Sequence, residues 1–275
     1  MRPATIALIA ALAAPGATAE PPVTLVACAP GYPGTSAEAQ PSMNAFAAAV
    51  AKAAGWGAGQ VVASYAPTEK EGLAAVGEAA VGLVALPFYV QHGAALGLTP
   101  HLVVEQKGLG PTERWTLVAK KGRVTKPADL AGMTVISIAG YAPGFVRNVL
   151  APEWRLPDST RVTSSAQVLS ALRRASQGED VAVLLDGVEG NALPTLPFAA
   201  QLDVVARSAP LPAALVATVG KRLGAARWAT LEKALLALPS DPSGAAALEG
   251  IRMVGFSPAT AAVLEPVRKL TVPAR

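Results

Sequence analysis

From residue 23 onward, short apolar runs alternate with segments whose apolar positions recur every three or four residues. The runs at 23–29, 60–66, 80–86 and 101–106 are aliphatic and partly β-branched, and they predict buried strands. Between them, 42–54 carries small and apolar residues at helical spacing. The segment 68–76 opens on Thr68 with Glu71 three residues on, the pattern of a capped helix start. Pro87 stands where the first turn of a helix tolerates it. Strands and helices in this order predict a parallel sheet with helices on its faces. A second unit starts near Trp115, with strands at 114–120, 133–138, 161–164, 181–185 and 202–206. It also holds a helical turn at 126–132, a helix running to Leu150, and an amphipathic helix at 165–176 that places Val168, Leu169 and Leu172 on one face. An extended stretch at 211–219 runs back, and 226–238, 243–251 and 258–270 read as helices. The expected fold is α/β and two-lobed, with mostly parallel sheets, helices on both faces and a ligand cleft between the lobes. Residues 20–115 begin the first lobe, 116–208 form the second, and 209–275 return to the first.

The first nineteen residues follow another pattern. One charge at Arg2 precedes an uncharged apolar run from Ala4 to Ala14, then Pro15-Gly16, then Ala17-Thr18-Ala19. This order is that of a secretory signal cleaved after Ala19, and the run is too short to span a membrane. Leu25-Val26-Ala27-Cys28 also matches a lipid-attachment box. Glu20-Pro21-Pro22 interrupts the apolar region that should lead into that box, so Cys28 is expected as a buried strand residue and not as a lipid anchor.

Composition narrows the chemistry. Hydrophobic residues make up 52% and charged residues 15%, which supplies a sizeable core and excludes a disordered chain. A single Cys excludes an intrachain disulfide and a Cys-based zinc site, and two His leave little for a His-rich metal centre. The formal charge of +4 is scattered, with no basic face for nucleic acid. No Gly-x-Ser-x-Gly elbow occurs, and no phosphate-binding glycine loop follows a strand. His92 and His101 read as structural. The expectation is a protein without catalytic residues, cofactor or metal.

In open parallel sheets, ligands sit at the carboxyl ends of the strands. There the chain places Gly31-Tyr32-Pro33-Gly34, then Tyr65 and Glu69, then Pro87-Phe88-Tyr89, and in the second unit Ser137, Gly140, Tyr141 and Asp186. Tyr32, Tyr65, Phe88, Tyr89 and Tyr141 are candidate wall residues of an aromatic cleft. Asp186 is a candidate polar anchor, or else the cap of the following helix.

Several stretches resemble the phosphate/phosphonate-type periplasmic solute-binding proteins of ABC transporters, over roughly residues 23–270. They are Lys126-Pro127-Ala128-Asp129-Leu130-Ala131-Gly132-Met133-Thr134-Val135, Pro87-Phe88-Tyr89, 169–178 followed by 181–186, and Leu236-Ala237-Leu238 with 248–256. The resemblance implies a type 2 periplasmic-binding fold, a periplasmic location, a monomer, a small-molecule ligand and a membrane permease as partner. The family's Ser-Thr-Ser run, which holds phosphonate oxygens at a helix start, is replaced here by Gly140-Tyr141-Ala142-Pro143-Gly144-Phe145. That replacement points to a weakly anionic or apolar ligand, lipid-like or sterol-like. A phosphate- or phosphonate-binding importer component, a lipid carrier serving an export system, and an enzyme on the same fold stand as alternatives.

Overall fold

The structure, a computed structural model, describes residues 20–270; the secretory signal read at 1–19 lies outside the described residues. Eleven strands among these residues form two sheets. The chain opens with β1 (Val23–Cys28), α1 (Ser36–Ala53), β2 (Val61–Ala66), α2 (Glu69–Glu78), β3 (Val81–Ala85), α3 (Leu86–His92) and β4 (Leu98–Gln106). It crosses to β5 (Thr116–Lys120), β6 (Thr134–Ser137), α4 (Pro143–Asn148), β7 (Arg161–Ser164), α5 (Val168–Gln177), β8 (Val181–Leu185), α6 (Gly187–Ala192) and β9 (Leu202–Arg207). It then returns through β10 (Ala214–Val219), α7 (Ala225–Ala237), α8 (Pro242–Gly250), β11 (Met253–Pro258) and α9 (Ala261–Leu270).

The first sheet has the order β11-β4-β10-β3-β1-β2 and the second β7-β6-β8-β5-β9. In the first, β1 pairs parallel with β2 and β3, while β10 inserts antiparallel between β3 and β4. In the second, β6 runs parallel to β7 and β8, and β5 lies antiparallel to β8 and β9. The first sheet therefore holds two strands that run against the others, β10 and β11, and the second sheet one, β5.

Alternation along β1 decides where its side chains go. Val23 and Leu25 enter a core with Phe46 and Val50 of α1 and Trp228, Leu231 and Leu235 of α7. Val26 and Cys28 point to the opposite face, against Val76, Val84 and Phe88. Cys28 is thus a buried core residue. Burial, reinforced by the charge of Glu69, pushes its thiol up to about 12, so it is no nucleophile.

Two local departures from the sequence reading have clear causes. The first helix begins at Ser36 instead of 42, because Thr35 caps it and Glu38 completes the box. The Thr35 amide donates to Glu38 Oε2 at 2.8 Å, and the Glu38 amide to Thr35 Oγ1 at 3.2 Å. Pro41 sits inside this helix and forfeits one amide donor without ending it. The strand β11 stands where only a link between helices was expected. Arg252 turns the chain with a φ of 61°, and β11 then adds antiparallel to the edge of β4. Its single well-buried large side chain, Phe256, gives too little pattern to read.

The two crossings between the sheets touch each other. The Glu113 amide donates to the Leu211 carbonyl at 2.8 Å, and the Leu211 amide returns a bond to the Glu113 carbonyl at 2.9 Å. This antiparallel bridge, one residue deep, ties the two crossings together.

Candidate functional site

At the carboxyl ends of β1 and β2 the chain opens a cleft of about 720 Å³. One wall comes from the first sheet: Pro30 to Tyr32, the start of α1 at Thr35 and Ser36, and the start of α2 at Thr68, Glu69 and Glu71. The facing wall is Tyr141, Ser164 and Ala166 from the second sheet. Its volume falls in the range of small-molecule sites, roughly 300–1,000 Å³. The wall geometry follows from local sequence. Thr35 and Thr68 each cap a helix, which aims both helix starts at the opening.

The lobes approach closely beside this cleft. Gly31, at φ 89°, passes so near the second lobe that a Cβ there would lie 2.6 Å from the Ile138 carbonyl oxygen. Next to it the Tyr32 hydroxyl donates to Asp186 Oδ2 at 2.7 Å, a bond across 154 residues of sequence. Asp186 is buried and caps α6: its Oδ1 accepts from the Glu189 amide at 2.8 Å, and its own amide donates to Glu189 Oε2. The neighbouring Gly187 amide donates to Glu113 Oε2 at 2.8 Å, and a Cβ on Gly187 would lie 2.6 Å from Glu113 Cβ.

Three carboxyls and a phenol thus share one buried spot beside the bridge between the crossings. Burial, reinforced by Asp186, pushes Glu113 up to about 8. The same two causes push Glu189 up to about 8. Burial and the charges of Asp186 and Glu113 hold the Tyr32 phenol well above its ordinary range, so it remains a donor. Replacing Tyr32 by Phe is expected to cost roughly 1–3 kcal/mol, since it removes a hydrogen bond to a buried acid. Thermal melting of the purified variant checks this, and an unchanged melt would show that the bond stabilises nothing.

The residues singled out in the sequence occupy three different settings. Tyr32, Glu69 and Tyr141 line the cleft. Glu69 also meets His92 Nε2 at 2.7 Å. The Tyr141 hydroxyl is buried beside the Phe88 amide with no partner in hydrogen-bonding geometry. Asp186 lies beside the crossings, one bond from Tyr32. The remaining residues are elsewhere. Phe88 is 0% exposed, in a core cluster with its ring 5.0 Å from that of His92. Tyr89 is part-buried between two core clusters. Tyr65 donates to the Ala29 carbonyl at 3.4 Å. Ser137 is buried and accepts from the Ala139 amide. Gly140 lets its turn touch β7, where a Cβ would run into the Thr163 carbonyl and the Ser164 amide. Thr35, Ser36, Glu71, Ser164 and Ala166 were missed. The spacing of Thr35 and Glu38 after the first strand is the signal that could have exposed two of them.

Among the described residues no cluster of His, Cys, Asp and Glu could hold a metal ion, and no helix is long and apolar enough to cross a membrane. No curated protein sequence matches the chain. Solved structures match its fold at low identity. XAC2383 from Xanthomonas citri, bound to chloride ion, is 16% identical with a TM-score of 0.70, covering 90% of this chain and 95% of that one. A binding protein component of an ABC phosphonate transporter, PA3383 from Pseudomonas aeruginosa, is 15% identical with a TM-score of 0.59, covering 91% and 86%. PhnD1 from Prochlorococcus marinus, in complex with methylphosphonate, is 15% identical with a TM-score of 0.58, covering 91% and 97%. A family model described as the periplasmic substrate-binding protein of phosphonate ABC transporters matches residues 34–264. By that match, over a two-lobed α/β fold with its cleft at the strand ends, the chain belongs to the phosphonate-type periplasmic substrate-binding proteins of ABC transporters.

Proposed function

We propose that the protein, once exported and cleaved before Glu20, captures a small molecule in the cleft between its lobes and hands it to a membrane permease. One observation carries this reading. The cleft takes its walls from both sheets, with Tyr32, Thr35 and Glu69 on one side and Tyr141, Ser164 and Ala166 on the other. A molecule held there holds the lobes together, and a two-crossing hinge lets them part for release. The family consists of transporter binding proteins, and no part of this reading calls for catalysis.

The lipid-like ligand drawn from the sequence loses its main support. Phe145, the large apolar side chain of that replaced stretch, is 0% exposed and packs edge-on to Trp115 at 5.0 Å. It belongs to the core of the second lobe and not to the cleft wall. The wall mixes hydroxyls and carboxylates with Pro30, Ala37, Pro67 and Ala166, which suits a molecule of modest size with both polar and apolar parts.

Mass spectrometry of small molecules that co-purify with the protein tests the reading. Ala166 is exposed on the cleft wall, so Ala166→Trp fills space without disturbing the core. The native protein is expected to carry a ligand that the Ala166→Trp variant lacks, and the two should melt at the same temperature once both are stripped of ligand. A ligand retained equally by the variant would place the site elsewhere.

A further inference from the structure

Resting on the reading that two lobes capture a ligand between them, we infer that Tyr32 and Asp186 form a latch that holds the lobes closed by itself, so that closure does not wait for the ligand. The two residues belong to different lobes. Tyr32 follows β1 and Asp186 follows β8, and the Tyr32 hydroxyl donates to Asp186 Oδ2 at 2.7 Å across 154 residues of sequence. Asp186 is 1% exposed, so water does not compete for this acceptor. A hydrogen bond tolerates only a few tenths of an ångström, so this one forms at a single lobe angle. Both of its ends are fixed. Asp186 Oδ1 accepts from the Glu189 amide at 2.8 Å, which sets the carboxyl. On the other lobe Gly31 turns the chain at φ 89°, and the Tyr32 amide donates to the Ala29 carbonyl at 3.3 Å. Every partner in this arrangement belongs to the chain itself.

The lobes in fact exchange two aromatic rings. Tyr32 of the first lobe packs against the core of the second, and Tyr141 of the second packs against the first-lobe cluster that holds Cys28 and Phe88. The exchange is unequal. The Tyr32 hydroxyl has its acceptor, whereas the Tyr141 hydroxyl is buried without a partner. A buried donor with no acceptor disfavours the closed form, because water reaches it once the lobes part. The Tyr32–Asp186 bond acts in the opposite direction and offsets that cost. The two phenols therefore bias lobe closure with opposite signs. Tyr32 and Asp186 are positioning residues in this respect. They set the lobe angle, and through it the fraction of the protein that is competent to hold a ligand.

Distances between spin labels, one on each lobe, test this by pulsed electron resonance. Leu73 of α2 and Leu169 of α5 are exposed, so Leu73→Cys and Leu169→Cys accept labels, while the native Cys28 is buried and inert. The mature chain is stripped of small molecules by unfolding in guanidinium and refolding. It is expected to show one short distance, the same as before stripping. Tyr32→Phe removes the donor and is expected to raise the population at longer distance about tenfold. Asp186→Ser keeps an oxygen to cap α6 and removes the acceptor, and it is expected to do the same should Tyr32→Phe not fold. Tyr32→Phe/Tyr141→Phe is expected to be more closed than Tyr32→Phe alone, which a simple loss of aromatic packing would not produce. A folded Tyr32→Phe or Asp186→Ser variant as closed as the native chain, or a double variant as open as the single one, overturns the latch. A chain that is closed as purified and open once stripped also overturns it, and leaves ligand capture standing. A chain closed in both states that carries no small molecule supports the latch and removes the capture reading instead.

Discussion

Truncating Phe88 to alanine is expected to cost about 3–5 kcal/mol of stability and to leave ligand affinity nearly unchanged. The ring is fully buried among Val26, Cys28, Val76 and Val84. A Cβ added to Gly72 would lie 3.0 Å from its Cε2 atom, so the helix α2 packs directly on it. Removing the ring leaves a cavity that the close-packed backbone of α2 cannot collapse to fill. At roughly 2–4 °C per kcal/mol for a domain of this size, the melting temperature should fall by about 10 °C. Circular dichroism melts and calorimetry below the transition measure the two halves of the expectation. An affinity loss with an unaltered melt would make Phe88 a ligand contact, as its position after the third strand first implied.

The second large effect is a loss of stability as the solution becomes alkaline. Glu113 and Glu189 stand at about 8 in the folded protein, against an ordinary value of 4.5. A carboxyl whose folded value is raised binds its proton more tightly folded than unfolded. Its contribution is fully present below the unfolded value and is lost as pH rises through the folded one. The window therefore runs from about 4.5 to about 8. Each unit of difference is worth ~1.4 kcal/mol, so either acid alone should remove on the order of 5 kcal/mol across the window, a fall of roughly 10–20 °C. The cause is local: ionising either acid adds charge to a buried spot that already holds Asp186. The exposed Asp129, Asp241 and Glu249 lie below their ordinary values and act in the opposite sense at acid pH, with less weight because solvent screens them.

Melting temperatures recorded across this window check the sign. The double variant Glu113→Gln/Glu189→Gln should flatten the profile, since Gln keeps an oxygen for the Gly187 and Asp186 amides. A native profile that is flat or rises with pH, or a variant that keeps the slope, would refute the account.

The sequence by itself determined the local elements. The apolar runs that open at Val23, Val61, Val81 and Val181 form strands, and Thr68 with Glu71 marks a helix start without reference to the rest of the chain. Asp186, readable in the sequence as a possible helix cap, starts α6. The sequence also placed Tyr32, Glu69 and Tyr141 at strand ends, and the structure sets all three on the cleft wall.

Only the tertiary structure decided what lies opposite what. The insertion of β10 between β3 and β4 depends on pairings more than a hundred residues apart, which no local periodicity encodes. The bond from Tyr32 to Asp186, and the seating of Glu113 against α6, depend on how the two crossings set the lobes. Phe88 and Tyr32 look alike in sequence, each an aromatic just after a strand. Phe88 turns under α2 because Gly72 leaves room for it, while Tyr32 turns toward the other lobe because Gly31 permits the close approach to Ile138. In both cases the deciding atom is one that a glycine lacks, and its absence has meaning only once the facing backbone is in place.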